Sequence, residues 1–96
     1  MRAEIEFIGY FRMKAGRESL DIGIENEDAS VFDLISQAEE LLSRQNFKVL
    51  LGSKLKDGVL VFYRNEKGGL ERIFDLSVPL VEAGGHFVMA NLMGGG

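Results

Sequence analysis

Cysteine is absent from the chain, which excludes disulfides, thiolate metal sites and a cysteine nucleophile. Any sulfur chemistry must therefore draw its sulfur from a partner. Histidine occurs once, as His86, and one imidazole with neither cysteine nor a triad partner in the pattern builds no metal site. Its place beside a glycine turn reads as solvated. Proline also occurs once, and Pro79 argues against a strand continuing through it. No stretch approaches the ~20 apolar residues that cross a bilayer. Residues 1–6 alternate charged and apolar side chains instead of forming the apolar block of a secretory signal. The expectation is a cytoplasmic protein without a membrane partner. Basic charge is in deficit, 11 Lys and Arg against 15 Asp and Glu for a net charge of -4. That balance argues against a nucleic-acid partner, whose phosphates demand a basic face, and suits a basic protein partner.

What is present describes one domain. Ninety-six residues, 46% hydrophobic and 27% charged, suffice to close a single core. Ile5, Phe7 and Phe11 share one parity, with Gly9 between them, and Glu4, Glu6, Ile8 and Tyr10 share the other. This reads as a strand over 4–11. A polar turn at 14–18 leads to Leu20, Ile22 and Ile24 alternating with Asp21, Gly23 and Glu25, a second strand that completes a hairpin. Val31, Leu34, Ile35, Ala38, Leu41 and Leu42 recur at helical spacing, predicting a helix over 31–43. Ser30 is placed to cap it, and Asp33 is a weaker relative of the capping-box acid. Asp28, Asp33, Glu39 and Glu40 make its outer face acidic.

Residues 45–57 read as an irregular connection with one buried patch at Val49, Leu50 and Leu51. Residues 59–63 are β-branched and aromatic, a strand. Gly68-Gly69 marks a hairpin turn, residues 71–76 a short strand, Gly84-Gly85 another turn, and residues 86–90 the final strand. Two strands, one helix, then two or three strands make an α+β roll of about four strands packed on one helix. The acids Asp21, Glu25, Glu27, Asp28, Glu39 and Glu40 lack the close spacing of a calcium loop and read as a solvated face. Gly68-Gly69 lacks the Lys-Ser/Thr of a phosphate-binding loop. Apolar sheet positions at Ile8, Tyr10, Phe62 and Phe74 are candidates for a partner surface.

The final strand runs through Asn91, Leu92 and Met93 into Gly94, Gly95 and Gly96. With glycine at roughly 7% of average sequence, three in succession at one chosen place arise on the order of once in three thousand chains. Without Cβ atoms such a segment passes through a channel too narrow for side chains and presents its carboxylate on a thin thread. The alternative is an inert, frayed terminus. Leu92 reads equally as the last core residue or as an apolar anchor for a partner. Met93, beside the glycines, reads as exposed, with a thioether that adapts to varied surfaces.

With the hairpin, the capped helix, the strand at Val59 and the terminal glycine pair in place, the chain resembles the ubiquitin-like β-grasp sulfur carriers. That family includes the small subunit of molybdopterin synthase and the carrier of the thiamine pathway. The resemblance covers nearly the whole chain. It rests on Ala15-Gly16, on residues 29–34 at the helix start, on Asp75 with Pro79 and Leu80 before the Gly84-Gly85 turn, and on Gly95-Gly96. Asn91-Leu92-Met93 stands where many members have proline or a β-branched residue, Arg64-Asn65-Glu66 where many have an Asn-Gly turn, and Gly94 adds a third glycine. The resemblance implies a mixed sheet of four to five strands on one main helix, with residues 1–92 as the domain and 93–96 as a flexible tail. It also implies that a ubiquitin-activating-like enzyme uses ATP to adenylate the carboxylate of Gly96, which a sulfur donor converts to a thiocarboxylate. Gly95 completes the reactive thread, Leu92, Met93, Gly94 and Phe62 contact partners, and the carrier itself binds neither cofactor nor metal. The large subunit of molybdopterin synthase is the implied recipient. A ubiquitin-like modifier joined through Gly96 to target lysines, and a plain β-grasp interaction module, remain as alternatives.

Overall fold

Alternation decides where the first strand runs and where it stops. The structure, a computed structural model, describes residues 1–92. In β1 (Arg2–Phe7), Ala3, Ile5 and Phe7 are buried while Arg2, Glu4 and Glu6 point the other way. Gly9, at φ 61° and ψ -124°, then turns the chain into α1 (Tyr10–Ala15). This corrects the strand expected over 4–11. Phe11 and Ala15, four residues apart, bury as one helical stripe, so a helical period begins where the period of two ends. Gly16 closes α1 in the left-handed conformation, its N–H donating to the Arg12 carbonyl at 3.0 Å. β2 (Ser19–Gly23) returns antiparallel to β1 with Leu20 opposite Ile5. The expected strand pair forms, joined by a helix instead of a turn.

The main helix, α2 (Val31–Leu41), buries Val31, Leu34, Ile35 and Ala38. It stops two residues short of the expected end, where a 3-10 turn (Ser43–Gln45) and left-handed Asn46 redirect the chain. All four backbone N–H groups orphaned at its start find acceptors. Those of Val31 and Phe32 donate to the carbonyls of Val78 (2.9 Å) and Leu76 (2.8 Å). That of Asp33 donates to Ser30 Oγ (3.3 Å), and that of Ser30 to Asp33 Oδ2 (2.9 Å). The capping box is complete with an aspartate.

The stretch expected to be irregular forms a small hairpin, β3 (Leu50–Leu51) with β4 (Lys54–Leu55). Its buried patch is Phe47 and Val49, both 0% exposed, whereas Leu51 is 71% exposed. β5 (Val59–Arg64), β6 (Leu70–Arg72), α3 (Leu80–Ala83) and β7 (His86–Asn91) follow. Pro79, extended at φ -64° and ψ 140°, is the N-cap of α3, in keeping with its rigid φ. The five-stranded sheet has the order β2-β1-β7-β5-β6, with β7 parallel to β1 and antiparallel to β5. One sheet face, carrying Ile5, Phe7, Ile22, Val61, Phe87 and Met89, joins α2 in a single core. This is the α+β roll with a mixed sheet on one main helix that the resemblance implies. Ser30→Ala is expected to lower the unfolding free energy by about 1 kcal/mol, read from urea denaturation; an unchanged value would mean that the loop carbonyls alone hold the helix start.

Candidate functional site

The site begins where the central strand ends. Val59, Leu60 and Val61 of β5 stand opposite Asn91, Ala90 and Met89 of β7. From the β1 side the N–H of Ile8 donates to the Met89 carbonyl at 3.0 Å, and on the β5 side the N–H of Leu92 donates to the Gly58 carbonyl at 2.6 Å. The backbone is thus held up to Leu92, whose side chain is 67% exposed, while Met89 is fully buried. Of the two readings of Leu92, the core one is excluded. Met93, Gly94, Gly95 and Gly96 lie outside the described residues.

Phe62 stands on the sheet face away from α2, half-buried, between its register partners Val88 and Arg72. Val88 shares that face and is nevertheless 0% exposed, so Phe62 sits beside a closed apolar strip, one strand over from the strand that leads to the tail. Ile8 and Tyr10 are exposed at the junction of β1 and α1. Phe74 lies apart from them, beyond β6, under the Arg72 guanidinium at 4.5 Å. It lines an open groove of about 810 Å³ with Phe32, Leu55, Val59 and Leu76.

The polar groups of the sheet are structural. Arg64 reaches Glu6 at 3.6 Å, and His86 Nε2 lies 3.2 Å from Glu4 Oε1 and 3.6 Å from Glu6 Oε1. The His86 side chain is 41% exposed at the start of β7, in keeping with its solvated reading, while its Nε2 is enclosed beside these two carboxylates and makes no well-angled hydrogen bond. Ser77 donates its hydroxyl (2.6 Å) and N–H (2.9 Å) to Asp75 Oδ1, and these bonds hold the Asp75 carboxyl below its ordinary range. Glu39 is more than a solvated acid. Its Oε2 accepts the N–H groups of Val49 (2.6 Å) and Leu50 (2.9 Å), tying α2 to the small hairpin. Nothing in the helical pattern marked that role, because its partners lie ten and eleven residues away. Among the described residues no group of three or more His, Asp or Glu is arranged to hold a metal ion, and no helix is long and apolar enough to cross a membrane.

Sequence reading also missed the cations beside the strand end. Lys14 of α1, Lys48 and Lys56 line one hollow of about 240 Å³ with Tyr10, Phe11, Asn46 and Phe47. The signal was available, since residues 43–56 carry Arg44, Lys48, Lys54 and Lys56 and no acid.

A mixed sheet gripping one main helix, with its last strand at the centre, defines the ubiquitin-like β-grasp fold. The chain is similar to SAMP1 from Haloferax volcanii, with a TM-score of 0.76 and 16% identity over 95% of this chain and 94% of that one. A further crystal structure, of H. volcanii small archaeal modifier protein 1, gives 0.73 at 16% identity over 94% and 95% of the two chains. The solution structure of the H. volcanii HVO 2177 protein gives 0.63 at 18% identity, over 100% of this chain and 87% of that one. At these identities the likeness is one of fold. No family model matches the chain, and no curated protein does.

Burial separates the two ends of this site energetically. Met89→Ala is expected to cost about 2–5 kcal/mol of stability. Leu92→Ala should stay within about 0.5 kcal/mol of the parent. Chemical denaturation of both variants checks this, and a large loss for Leu92→Ala would place its side chain in the core.

Proposed function

We propose that this chain is a sulfur carrier whose Gly96 carboxylate is adenylated by an ATP-dependent, ubiquitin-activating-like enzyme and converted to a thiocarboxylate. The observation that carries the reading is the anchoring of β7: a central strand bonded by β1 up to Met89 and by β5 up to Leu92 fixes the point of the sheet after which the glycine run follows in the sequence. The chemistry asks little more of the carrier. A carboxylate oxygen attacks the α-phosphorus of ATP and pyrophosphate leaves; a sulfide-level donor then attacks the acyl carbon, the C–O bond to AMP breaks and a C–S bond forms. Activation comes from the nucleotide, so the carrier contributes positioning alone, and ATP is bound by the enzyme. The proposed recipient is molybdopterin synthesis through the large subunit of molybdopterin synthase. Leu92, Met93, Gly94 and Phe62 are the proposed partner contacts.

The second reading, a modifier joined through Gly96 to lysines, is favoured by the fold neighbours named as archaeal modifier proteins. Intact mass after incubation with a cognate activating enzyme, ATP and a sulfur donor separates the two. One sulfur-for-oxygen exchange supports the carrier, conjugates of higher mass support the modifier, and no change with any activating enzyme of its own cell overturns both.

Deleting Gly95 and Gly96 is expected to leave the melting temperature nearly unchanged, because glycine brings no side chain to a core, and to abolish activation. Adenylate formation by the deletion variant would sink the assignment. From Leu92 to Gly96 four peptide steps of ~3.3–3.6 Å reach roughly 14 Å, which leaves little slack for crossing an enzyme wall. Gly95→Val should therefore block adenylation while sparing docking, since a β-branched side chain fills a channel shaped for bare backbone. Affinity and adenylation measured on the same variant decide it, and wild-type adenylation would show a wide channel.

A further inference from the structure

The net charge of -4 is not spread evenly over the molecule. Around the end of β7 the balance reverses. Residues 10–18 carry Arg12, Lys14 and Arg17 against Glu18, and residues 43–57 carry Arg44, Lys48, Lys54 and Lys56 against Asp57. The fold brings the two segments together. Phe47 packs edge-on against Phe7 at a centroid distance of 5.4 Å and lies 5.8 Å from Phe11, so the aromatic contacts dock the second segment on α1 and set Lys14, Lys48 and Lys56 around one hollow. Among the described residues none of these seven cations has an ion-pair partner, in contrast to Arg2 and Arg64, which are paired with Asp21 and Glu6. Glu39, the acid that reaches this segment, is engaged by the N–H groups of Val49 and Leu50. The acidic loop with Glu25, Glu27 and Asp28 follows the far end of β2, and Glu82 precedes the start of β7. The seven unpaired cations are therefore gathered at the Leu92 end of β7, while this acidic loop and Glu82 lie toward its start, together with Arg2 and Lys67.

Apolar side chains are exposed within the same basic surface: Ile8 at 43%, Tyr10 at 45% and Met13 at 73%. Unpaired cations around exposed apolar residues match the anatomy of a protein interface, an apolar centre with a charged rim. A nucleic acid fits less well. Tyr10 is the one exposed aromatic lining the hollow, Phe11 and Phe47 being buried, so there is no row of rings on which bases could stack.

We infer that α1 and residues 44–56 form a docking surface for an acidic, carboxylate-bearing protein surface that surrounds the entrance taken by the tail, and that the activating enzyme carries that surface. The choice of the activating enzyme rests on the function proposed above; the acidic character of the partner rests on the cations alone. Opposite charge around a narrow entrance steers the thread toward it and orients the carrier before any backbone enters. The partner expected from net charge alone, a basic one, is thereby replaced at this end of the molecule by an acidic one.

Two measurements test the surface. In the first, a synthetic oligoglutamate peptide is titrated into the isotope-labelled full chain and backbone amide signals are followed, with a single-stranded RNA oligonucleotide as the competing probe. Shifts confined to residues 8–18 and 44–58 that fade with added salt support the inference. No shift with oligoglutamate, shifts centred elsewhere, or binding of the RNA alone overturns it. In the second, the combined variant Lys14→Glu, Lys48→Glu and Lys56→Glu is assayed for adenylation, with the three alanine substitutions as the milder set should the reversals fail to fold. The expected result is a KM raised about tenfold or more with kcat unchanged and a weaker salt dependence than the parent. An unchanged KM overturns the assignment to the activating enzyme. If no enzyme adenylates even the parent chain, the proposed function fails, and the peptide titration still decides the surface on its own.

Discussion

Everything positioned in this molecule depends on β7 lying between β1 and β5. A central strand is bonded along both edges, so its backbone cannot shift without breaking two ladders together. Register matters as much as position. A slip of one residue would turn Phe87 and Met89 out of the core and bring His86 and Val88 in, and that penalty locks the place where the chain leaves the sheet. The departure at Leu92, closed by the bond to Gly58, inherits its accuracy from the core and not from the residues around it.

Two side-chain devices extend that accuracy to the rest of the roll. Ser30 and Asp33 satisfy the start of α2 locally, while the carbonyls of Leu76 and Val78 satisfy it from a loop far along the chain, so helix and loop fix one another. At the other end of α2 the Glu39 carboxylate performs the same service in reverse, gathering the N–H groups of Val49 and Leu50. Without it two half-buried donors would lose a charged acceptor. The helix is stapled at both ends to segments that the five-stranded sheet does not hold.

The parts legible in the sequence were those governed by a period or by a single residue's restriction. Alternation found β2, β-branched and aromatic content found β5, and the Gly84-Gly85 turn marked the start of β7; the i, i+3, i+4 stripe found α2; Pro79 ended any strand; Ser30 marked a cap. The glycine run marked one end as the place to look. What stayed hidden depended on long-range company. Tyr10 and Phe11 continued an apolar alternation closely enough to pass for the end of a strand, with a turn after them, and only the burial of Phe11 together with Ala15 distinguishes the helix. Of Val49, Leu50 and Leu51, the patch expected to be buried, Val49 entered the core and Leu50 packs against it, whereas Leu51 was left in solvent and Phe47 took the core as well. Glu39 carried no local sign of its backbone partners, and the net charge concealed the gathering of unpaired cations that the fold produces.

The pairing of β1 with β7 joins residues near the two ends of the described chain, Glu4 facing His86. Contacts of such sequence separation are the slowest to form, because the entropy of closing the whole intervening loop must be met before they reward it. The β1–β2 ladder and α2 are local enough to form early, but the sheet stays open along its middle until β7 inserts. A sheet without β7 has a gap between β1 and β5 with the facing edges of both strands unpaired, and only a completed one holds Leu92 against Gly58. The geometry of the strand end is thus a report on folding itself, and a partner that grips this end selects molecules whose cores have already closed.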